Sequence, residues 1–124
     1  MSNDKLNNIL DRMLQGIPGI ICVLMIDQDG NLFYKNGRFD VSPNELGAVI
    51  AVNLSAIKMA GKLLKQEMNT VLAEFNKMKI YQIQIGTQYF LILLLKIKDN
   101  YFGEVRIKIN KVVEKIHENI FTVG

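Results

Sequence analysis

The sequence predicts an α+β domain whose elements run α-β-β-α-β-β-β-α along its 124 residues. Three segments carry apolar residues at helical spacing, and five shorter segments are rich in aliphatic, β-branched and aromatic residues. Most consecutive strand candidates are separated by short turns with glycine or asparagine, which is typical of antiparallel hairpins. Two strand candidates are apolar throughout, so we expect helices on both faces of the sheet.

The first helix is expected over roughly residues 3–15, where leucine, isoleucine and methionine recur every three or four positions. Gly16 suits the left-handed position after a helix, and Pro18 prevents continuation. Ile20–Asp27 is then the first apolar, central strand. A glycine-containing turn leads into Asn31–Gly37, a more polar strand that is expected at an edge of the sheet.

The second helix is expected to begin at Ser42 and to continue to about Gln66. Ser42 can accept a hydrogen bond as the N-cap, Pro43 fits the first turn, and Glu45 can complete a capping box. At 100° per residue, the apolar positions of this helix span roughly 220°, whereas a surface helix usually has an apolar stripe a little over 100° wide. One sheet cannot cover an arc of that width.

The apolar arc of the second helix divides into two stripes. The first, expected to pack on the sheet, contains Leu46, Ile50, Leu54, Ile57, Gly61 and Leu64. The second contains Val49, Val52, Ala56, Met59, Ala60 and Leu63. The narrow polar remainder contains Ser55, Lys58, Lys62 and Lys65. A bare apolar surface invites aggregation, and twofold dimers are the commonest closed assembly, so we expect a second copy to cover the second stripe. The alternative is cover by the terminal helices of the same chain.

Three more strands are expected at Thr70–Asn76, Lys79–Ile85 and Gln88–Ile97, with turns short enough for hairpins. The middle strand alternates between apolar and polar residues, and the last is apolar throughout, so it is also expected inside the sheet. A final helix follows Asp99, with apolar residues at helical spacing from Val105 to Ile120.

Composition indicates one folded domain over residues 1–124, with 49% hydrophobic and 22% charged residues. The net charge of +3 is spread along the second half without a basic arm, which argues against nucleic acid as a partner. The N-terminus lacks the layout of a signal peptide, and the apolar runs are shorter than the roughly 20 residues that span a bilayer. We therefore expect a soluble, cytoplasmic protein without membrane insertion.

No enzyme chemistry is expected. The chain contains neither a P-loop nor a GxGxxG pattern, and one cysteine, Cys22, with one histidine, His117, cannot build a usual zinc site. Asp27-Gln28-Asp29-Gly30 resembles the start of a calcium loop, but Arg38 occupies the closing position that needs a glutamate. The carboxylates Asp27, Asp29 and Glu45 fit turn and cap roles. We expect no catalytic, cofactor-binding or metal-binding residue, and no cofactor.

In order and spacing, these segments resemble the roadblock/dynein light chain family. The shared features are PGI at Pro18–Ile20, VLMIDQDGNLFYKNGR ending at Arg38, the helix ELGAVIAVNLSAIKMAGKLLK, the hairpins ending in YFLILLLK, and NYFG at Asn100–Gly103. The resemblance implies a five-stranded antiparallel sheet of order 2-1-5-4-3, with the second helix on one face and the terminal helices on the other. That order places both fully apolar strands inside the sheet.

The resemblance further implies a non-catalytic dimeric module that binds, and regulates or scaffolds, a small Ras-like GTPase. Its partner chain would be a second copy or a paralogous roadblock chain. The dimer contacts would be Val49, Val52, Ala56, Met59, Ala60 and Leu63, with Thr70 and Leu72 at the edge of the third strand. Our hypothesis is that Ser55, Lys58, Lys62 and Lys65 border the GTPase-docking surface. A GTPase-activating role would act on the partner's active site; for Arg38, a local structural role is favoured over that of an arginine finger.

Two alternatives remain open. One is a homodimeric scaffold for a motor or signalling complex without a GTPase. The other is a small-ligand sensor of the profilin-like or PAS-like kind, which would need a polar pocket inside the fold. The densely aliphatic strands give little sign of such a pocket.

Overall fold

The computed structural model describes residues 4–123, with side chains described for residues 4–119, and its elements follow the predicted order. They are α1 Asp4–Gly16, β1 Ile20–Asp27, β2 Leu32–Gly37, α2 Pro43–Leu64, β3 Thr70–Glu74, β4 Lys79–Ile85, β5 Tyr89–Leu95 and α3 Phe102–Val123, with a 3₁₀ turn at Asp99–Tyr101 before α3. The expected start of the first helix at residue 3, and the side chain of Ile120, lie outside what is described.

The five strands form one antiparallel sheet in the order β2-β1-β5-β4-β3, as predicted. β1 and β5 are inner neighbours, and their side chains are almost all buried. An inner strand covered by helices on both faces buries side chains on both sides, which favours the unbroken apolar runs of β1 and β5.

The helices divide unequally between the two faces of the sheet. α1 and α3 pack side by side on one face, over a core that includes Leu10, Leu93 and Ile109. α2 lies on the other face, over a second core that includes Leu24 and Leu54. From Cys22 to Ile26, successive residues of β1 point alternately into the two cores, as the twofold period of a strand requires.

The turn between β1 and β2 is held by Asp27. Its carboxylate accepts hydrogen bonds from the backbone N–H groups of Asp29 and Asn31, both at 2.9 Å, and from the Asn31 side chain at 3.0 Å. Desolvation raises the pKa of Asp27, but the hydrogen bonds from Asn31, Asp29 and Gly30 together outweigh it and leave the pKa lowered. This carboxylate therefore stabilises the predicted hairpin turn.

The ends of the helices confirm one prediction and correct another. Ser42 Oγ caps α2 by accepting a hydrogen bond from the Glu45 N–H at 3.3 Å. The prediction that Gly16 adopts a left-handed conformation is wrong, because Gly16 ends α1 as a helical residue. Helical hydrogen bonding runs one residue further, from the Ile17 N–H to the Met13 carbonyl, and the chain turns at Gly19, with φ of 96°.

Gly37 is the position where a side chain would be least tolerated. Its φ is 114°, and a Cβ would lie 2.2 Å from the Ile21 carbonyl oxygen. We expect Gly37→Ala to lower the free energy of unfolding by roughly 2–4 kcal/mol, through strain and displacement of β2. The control is Gly103→Ala in the first turn of α3, where nothing lies within 4 Å of the added methyl group. It should instead stabilise by about 0.5–1 kcal/mol. Urea unfolding at one fixed protein concentration measures both, and equal midpoints would contradict the close approach of β2 to β1.

Tyr34 gives the second prediction, because it ties β2 to α1. Its hydroxyl donates a hydrogen bond to the Asp11 carboxylate, which also accepts from Asn36 Nδ2 at 3.1 Å. Burial, and then the hydrogen bond to Asp11, raise the pKa of Tyr34 from 10.0 to about 12. The folded protein thus keeps the phenol proton to higher pH than the unfolded chain does.

The stabilisation linked to Tyr34 should be complete below about pH 10 and should be lost as pH rises towards 12. Tyr34→Phe should remove that part of the pH dependence, leaving a shallower loss of stability across this range. Urea unfolding of both proteins at several pH values measures the difference. Parallel stability curves for the two proteins would show that Tyr34 titrates like an exposed phenol.

Candidate functional site

α2 is apolar on two sides, and one of these sides faces away from the protein. The helix contacts the sheet through Ile50 and Leu54, whereas Val52 and Leu63 on the opposite side are 73% and 87% exposed. Leu54 and Leu63 are nine positions apart, which places them about 180° apart around the helix. A surface helix normally has its polar residues on that side. The apolar surface found here is therefore open to a partner.

We call this surface the outward face of α2. All of its members are exposed, and they are Val49, Val52, Ala56, Ile57, Met59, Ala60, Leu63 and Leu64. The described parts of α1 and α3 pack on the other face of the sheet, so the alternative in which they cover the second stripe is wrong. Soluble monomers rarely expose contiguous apolar surfaces larger than a few hundred Å² unless something binds there.

Two residues assigned to the sheet-facing stripe are placed differently by the structure. Ile57 is 38% exposed and Leu64 is 72% exposed, so the expectation that they pack on the sheet is wrong. The buried positions include Gly47, which lies so close to the β1–β2 turn that a Cβ there would be 3.4 Å from the Gly30 carbonyl oxygen. A helical wheel that scores only hydrophobicity misses this contact. The buried positions Gly47, Ile50, Ala51 and Leu54 define the side of α2 that meets the sheet, and Ile57 and Leu64 lie at or beyond the edge of that side.

The polar flank of α2 (Ser55, Lys58, Lys62 and Lys65) lies beside the outward face. Ser55, Lys62 and Lys65 are exposed, but Lys58 is half-buried, with its ammonium nitrogen 5.6 Å from the centroid of the Phe90 ring. A cation over an aromatic face at that distance is attracted by the ring. Lys65 ends the helix in a left-handed conformation, with φ of 57°.

Lys58 and Lys62 also line a groove of about 250 Å³ between α2 and the β4–β5 turn. Gln84 lines the same groove, and its Oε1 is buried without a hydrogen-bond partner among the described residues. Buried side-chain oxygens that accept no hydrogen bond are uncommon in proteins. The sequence showed Gln84 only as a polar position of an alternating strand. Its burial could be expected only once β4 was known to lie inside the sheet.

The outer edge of β3 is the second open feature of the described structure. β3 pairs with β4 alone, so one row of its backbone N–H and C=O groups faces outward. The predicted contact residues Thr70 and Leu72 lie on this strand and are half-buried. The Leu72 side chain packs against the core under α1 and α3, on the face opposite α2. At the edge, these residues therefore offer a partner mainly their backbone.

Arg38 has a structural role in its backbone. Its N–H donates to the Ile21 carbonyl at 3.1 Å, and its carbonyl accepts a hydrogen bond from the Cys22 thiol. Burial raises the pKa of Cys22, which keeps the thiol protonated and unreactive. Both backbone contacts fit the local role predicted for Arg38.

By length and composition alone, α2 could cross a membrane. The sequence analysis considered only uninterrupted apolar runs and so did not single out α2 as a possible span. Polar residues interrupt the apolar run in α2, but its mean hydropathy stays high enough for a membrane-spanning helix. Ile50 and Leu54, however, are buried against the sheet. A single helix of this kind is weak evidence, so the composition of α2 does not by itself indicate a membrane span.

The fold, the open helix face and the sheet edge agree with the sequence resemblance. A protein-family model, the Roadblock/LC7 domain, matches residues 6–95. The chain belongs to the Roadblock/LC7 domain family. The matched region runs from α1 to the end of β5. α3 of this roadblock domain lies beyond it.

Solved structures share the whole fold. Myxococcus xanthus MglB has a TM-score of 0.89 and 22% sequence identity, with 100% of both chains covered. MglB with a tetrameric arrangement has a TM-score of 0.79 and 16% identity, covering 96% of this chain and 92% of that one. The Roadblock/LC7 domain from Streptomyces avermitilis has a TM-score of 0.79 and 14% identity, covering 93% and 97%. At these identities the likeness establishes the fold alone. No curated protein matches the chain in sequence.

Proposed function

We propose that this roadblock domain forms a twofold dimer through the outward face of α2 and the edge of β3, and that the dimer docks a small Ras-like GTPase in the cytoplasm. The observation that carries this proposal is the apolar side of α2, which points away from its own sheet. The domain acts as a binding module and contributes no catalytic residue of its own.

The composition of the outward face supports a helix-to-helix contact. Ala56 and Ala60 are one turn apart, and their small side chains allow the backbone of a second helix to approach closely. Val52, Met59 and Leu63 lie around them and supply apolar surface. A stable interface buries roughly 800 Å² on each partner.

The edge of β3 supports the same arrangement. A twofold axis that brings two α2 helices together can also bring two β3 edges together in antiparallel orientation, which satisfies the outward N–H and C=O groups on both strands. Pairing of this kind would extend the sheet across both copies. A paralogous roadblock chain with the same features could replace the second copy.

The GTPase role rests on the family resemblance and on the polar flank of α2. In a twofold dimer the flank is present twice, on either side of the joined outward faces. Its lysines would attract acidic residues of a partner and increase the rate of encounter. A GTPase bound there could have its own loops repositioned, and so be regulated without a catalytic group from this chain.

Two rival functions remain as outcomes of experiment. A homodimeric scaffold for a motor or signalling complex needs the same dimer but no GTPase. A profilin-like or PAS-like sensor needs a pocket between sheet and helix, where this protein packs aliphatic side chains such as Leu24, Ile92 and Leu54. That packing favours a protein partner over a small ligand.

Replacing one apolar residue on the outward face by a charged residue tests the dimer. Leu63→Glu should raise the dimer dissociation constant by about 30-fold or more, because it buries a charge in an apolar interface. Ile107→Glu is the matched control: Ile107 is an isoleucine of α3 that is 60% exposed. Sedimentation equilibrium should show dimers for wild type and control and mostly monomers for Leu63→Glu. A monomeric wild type at high concentration would overturn the dimer.

The docking surface can be tested by removing charge from the flank while the helix is kept intact. We expect Lys62→Glu with Lys65→Gly to weaken GTPase binding about tenfold, because two cations are lost and one anion is added. Glycine suits the left-handed conformation at position 65. Lys35→Glu with Lys77→Gly, on exposed sites elsewhere, makes the same change in net charge and should bind like wild type.

The measurement is a pull-down of a panel of purified small Ras-like GTPases, loaded with GDP or with a non-hydrolysable GTP analogue, followed by titration of any GTPase that binds. Preference for one nucleotide state would support the proposal. Equal weakening by both double variants would place the docking surface elsewhere. A dimer that captures no member of the panel would favour the scaffold function.

A further inference from the structure

A groove lined by basic residues lies between α1 and α3, on the face of the sheet opposite α2. Its volume is about 350 Å³, and its apolar lining includes Ile9, Met13, Ile17 and Val112. Its charged side chains are Arg12 from α1 and Lys108, Lys111 and Lys115 from α3, all exposed. The three lysines are spaced three and four residues apart, which places them on one side of α3. Among the described residues, no acidic side chain lines this groove.

A second depression adjoins the groove and extends its charge. It shares Lys108 and is also lined by Lys96, Lys98 and Glu104. Together the two hold six of the 15 basic side chains and one of the 12 acidic ones. This surface therefore carries five excess positive charges, and the rest of the chain is net negative by two. The whole positive excess of the protein is concentrated here.

Among the residues that the structure describes, none of the six cations around the groove is neutralised by an ion pair. In the described part of the chain, the ion pairs involve Lys79, which bridges to Glu74 at 3.9 Å and also contacts Asp99. Six lysine and arginine side chains gathered around apolar surface repel one another, and an anionic partner would relieve that repulsion.

We propose that this basic groove binds an acidic, amphipathic peptide segment of another protein. Carboxylates of the segment would face Arg12, Lys108, Lys111 and Lys115, and one or two of its aliphatic side chains would enter the groove over Met13 and Val112. The concave shape decides between anionic partners. A bilayer surface is too flat to reach an apolar floor between two helices, and a nucleic acid backbone has no aliphatic group to fill it.

The groove is separated by the sheet from the outward face of α2. A segment bound between α1 and α3 would leave α2 and the β3 edge open, so the protein could hold this segment and a second partner at once. The inference does not depend on the proposed function. It requires neither a dimer nor a GTPase.

The test uses fluorescence anisotropy with a labelled synthetic peptide of two Glu-Leu-Glu-Glu-Leu-Leu-Glu heptads. Wild-type protein should bind it, and Lys111→Glu with Lys115→Glu should weaken binding at least about tenfold. Lys35→Glu with Lys77→Glu is the matched control: both lysines are exposed, both lie away from the groove, and the change in net charge is identical. The control should bind within about twofold of wild type. Thermal melts check that both variants are folded.

Two altered probes separate the apolar contribution from general attraction between charges. A peptide with serine in place of every leucine should bind at least about tenfold more weakly, because it cannot fill the floor. Equal binding of both peptides, or equal weakening by the two double variants, would overturn the proposal. Vesicles of phosphatidylserine and phosphatidylcholine, and a single-stranded oligonucleotide, are titrated in parallel. Binding of either probe more tightly than the peptide, with loss in Lys111→Glu/Lys115→Glu, would also overturn it.

Discussion

The close contact between α2 and the β1–β2 turn determines how this protein presents itself to partners. The α2 backbone approaches the turn most closely at Gly30, where a Cβ would lie 3.0 Å from Ala48 Cα and 3.2 Å from the Gly47 carbonyl oxygen, and α2 lies over its sheet in a rotation that this contact permits. In that rotation Ile50 and Leu54 are buried, and the remaining apolar residues face outward. A side chain at position 30 would press against the α2 backbone, and the φ of 87° there also favours glycine. The interaction surface thus depends on two glycines that take no part in it.

The order of the elements and the sheet topology were predictable because the hydrophobic period changes clearly between helices and strands. The unbroken aliphatic runs of β1 and β5 required cover on both faces, and only an inner position supplies it. The exact position of the turn between α1 and β1 was less predictable. The sequence favoured Gly16 as the left-handed residue after α1, but hydrogen bonding through Ile17 moved the turn to Gly19. Such a shift depends on contacts with Lys96 and Ile97, which are distant in sequence.

The candidate surfaces were predictable to different degrees. The outward face of α2 followed from the width of its apolar arc, whereas the positions of Ile57 and Leu64 did not, because the rotation depends on small residues that carry little hydrophobic signal. The basic groove was missed for another reason. Its lysines alternate with apolar residues along α3, a pattern that is also typical of the solvent-exposed side of an ordinary surface helix. Arg12 comes from the other end of the chain. Only the packing of α1 against α3 brings these charges around one apolar floor.

The two faces of the sheet carry surfaces of different chemistry. The region matched by the family model includes all of the apolar surface but not α3. The matched region, residues 6–95, contains α2, β3 and all the features of the apolar side. α3 begins at Phe102 and contributes Lys108, Lys111 and Lys115 to the basic groove. The matched region therefore contains the whole apolar surface, but only Arg12 of the four charged residues that line the groove. Selectivity for an acidic segment would then depend mainly on α3, which lies outside the matched region, whereas the apolar surface lies within it.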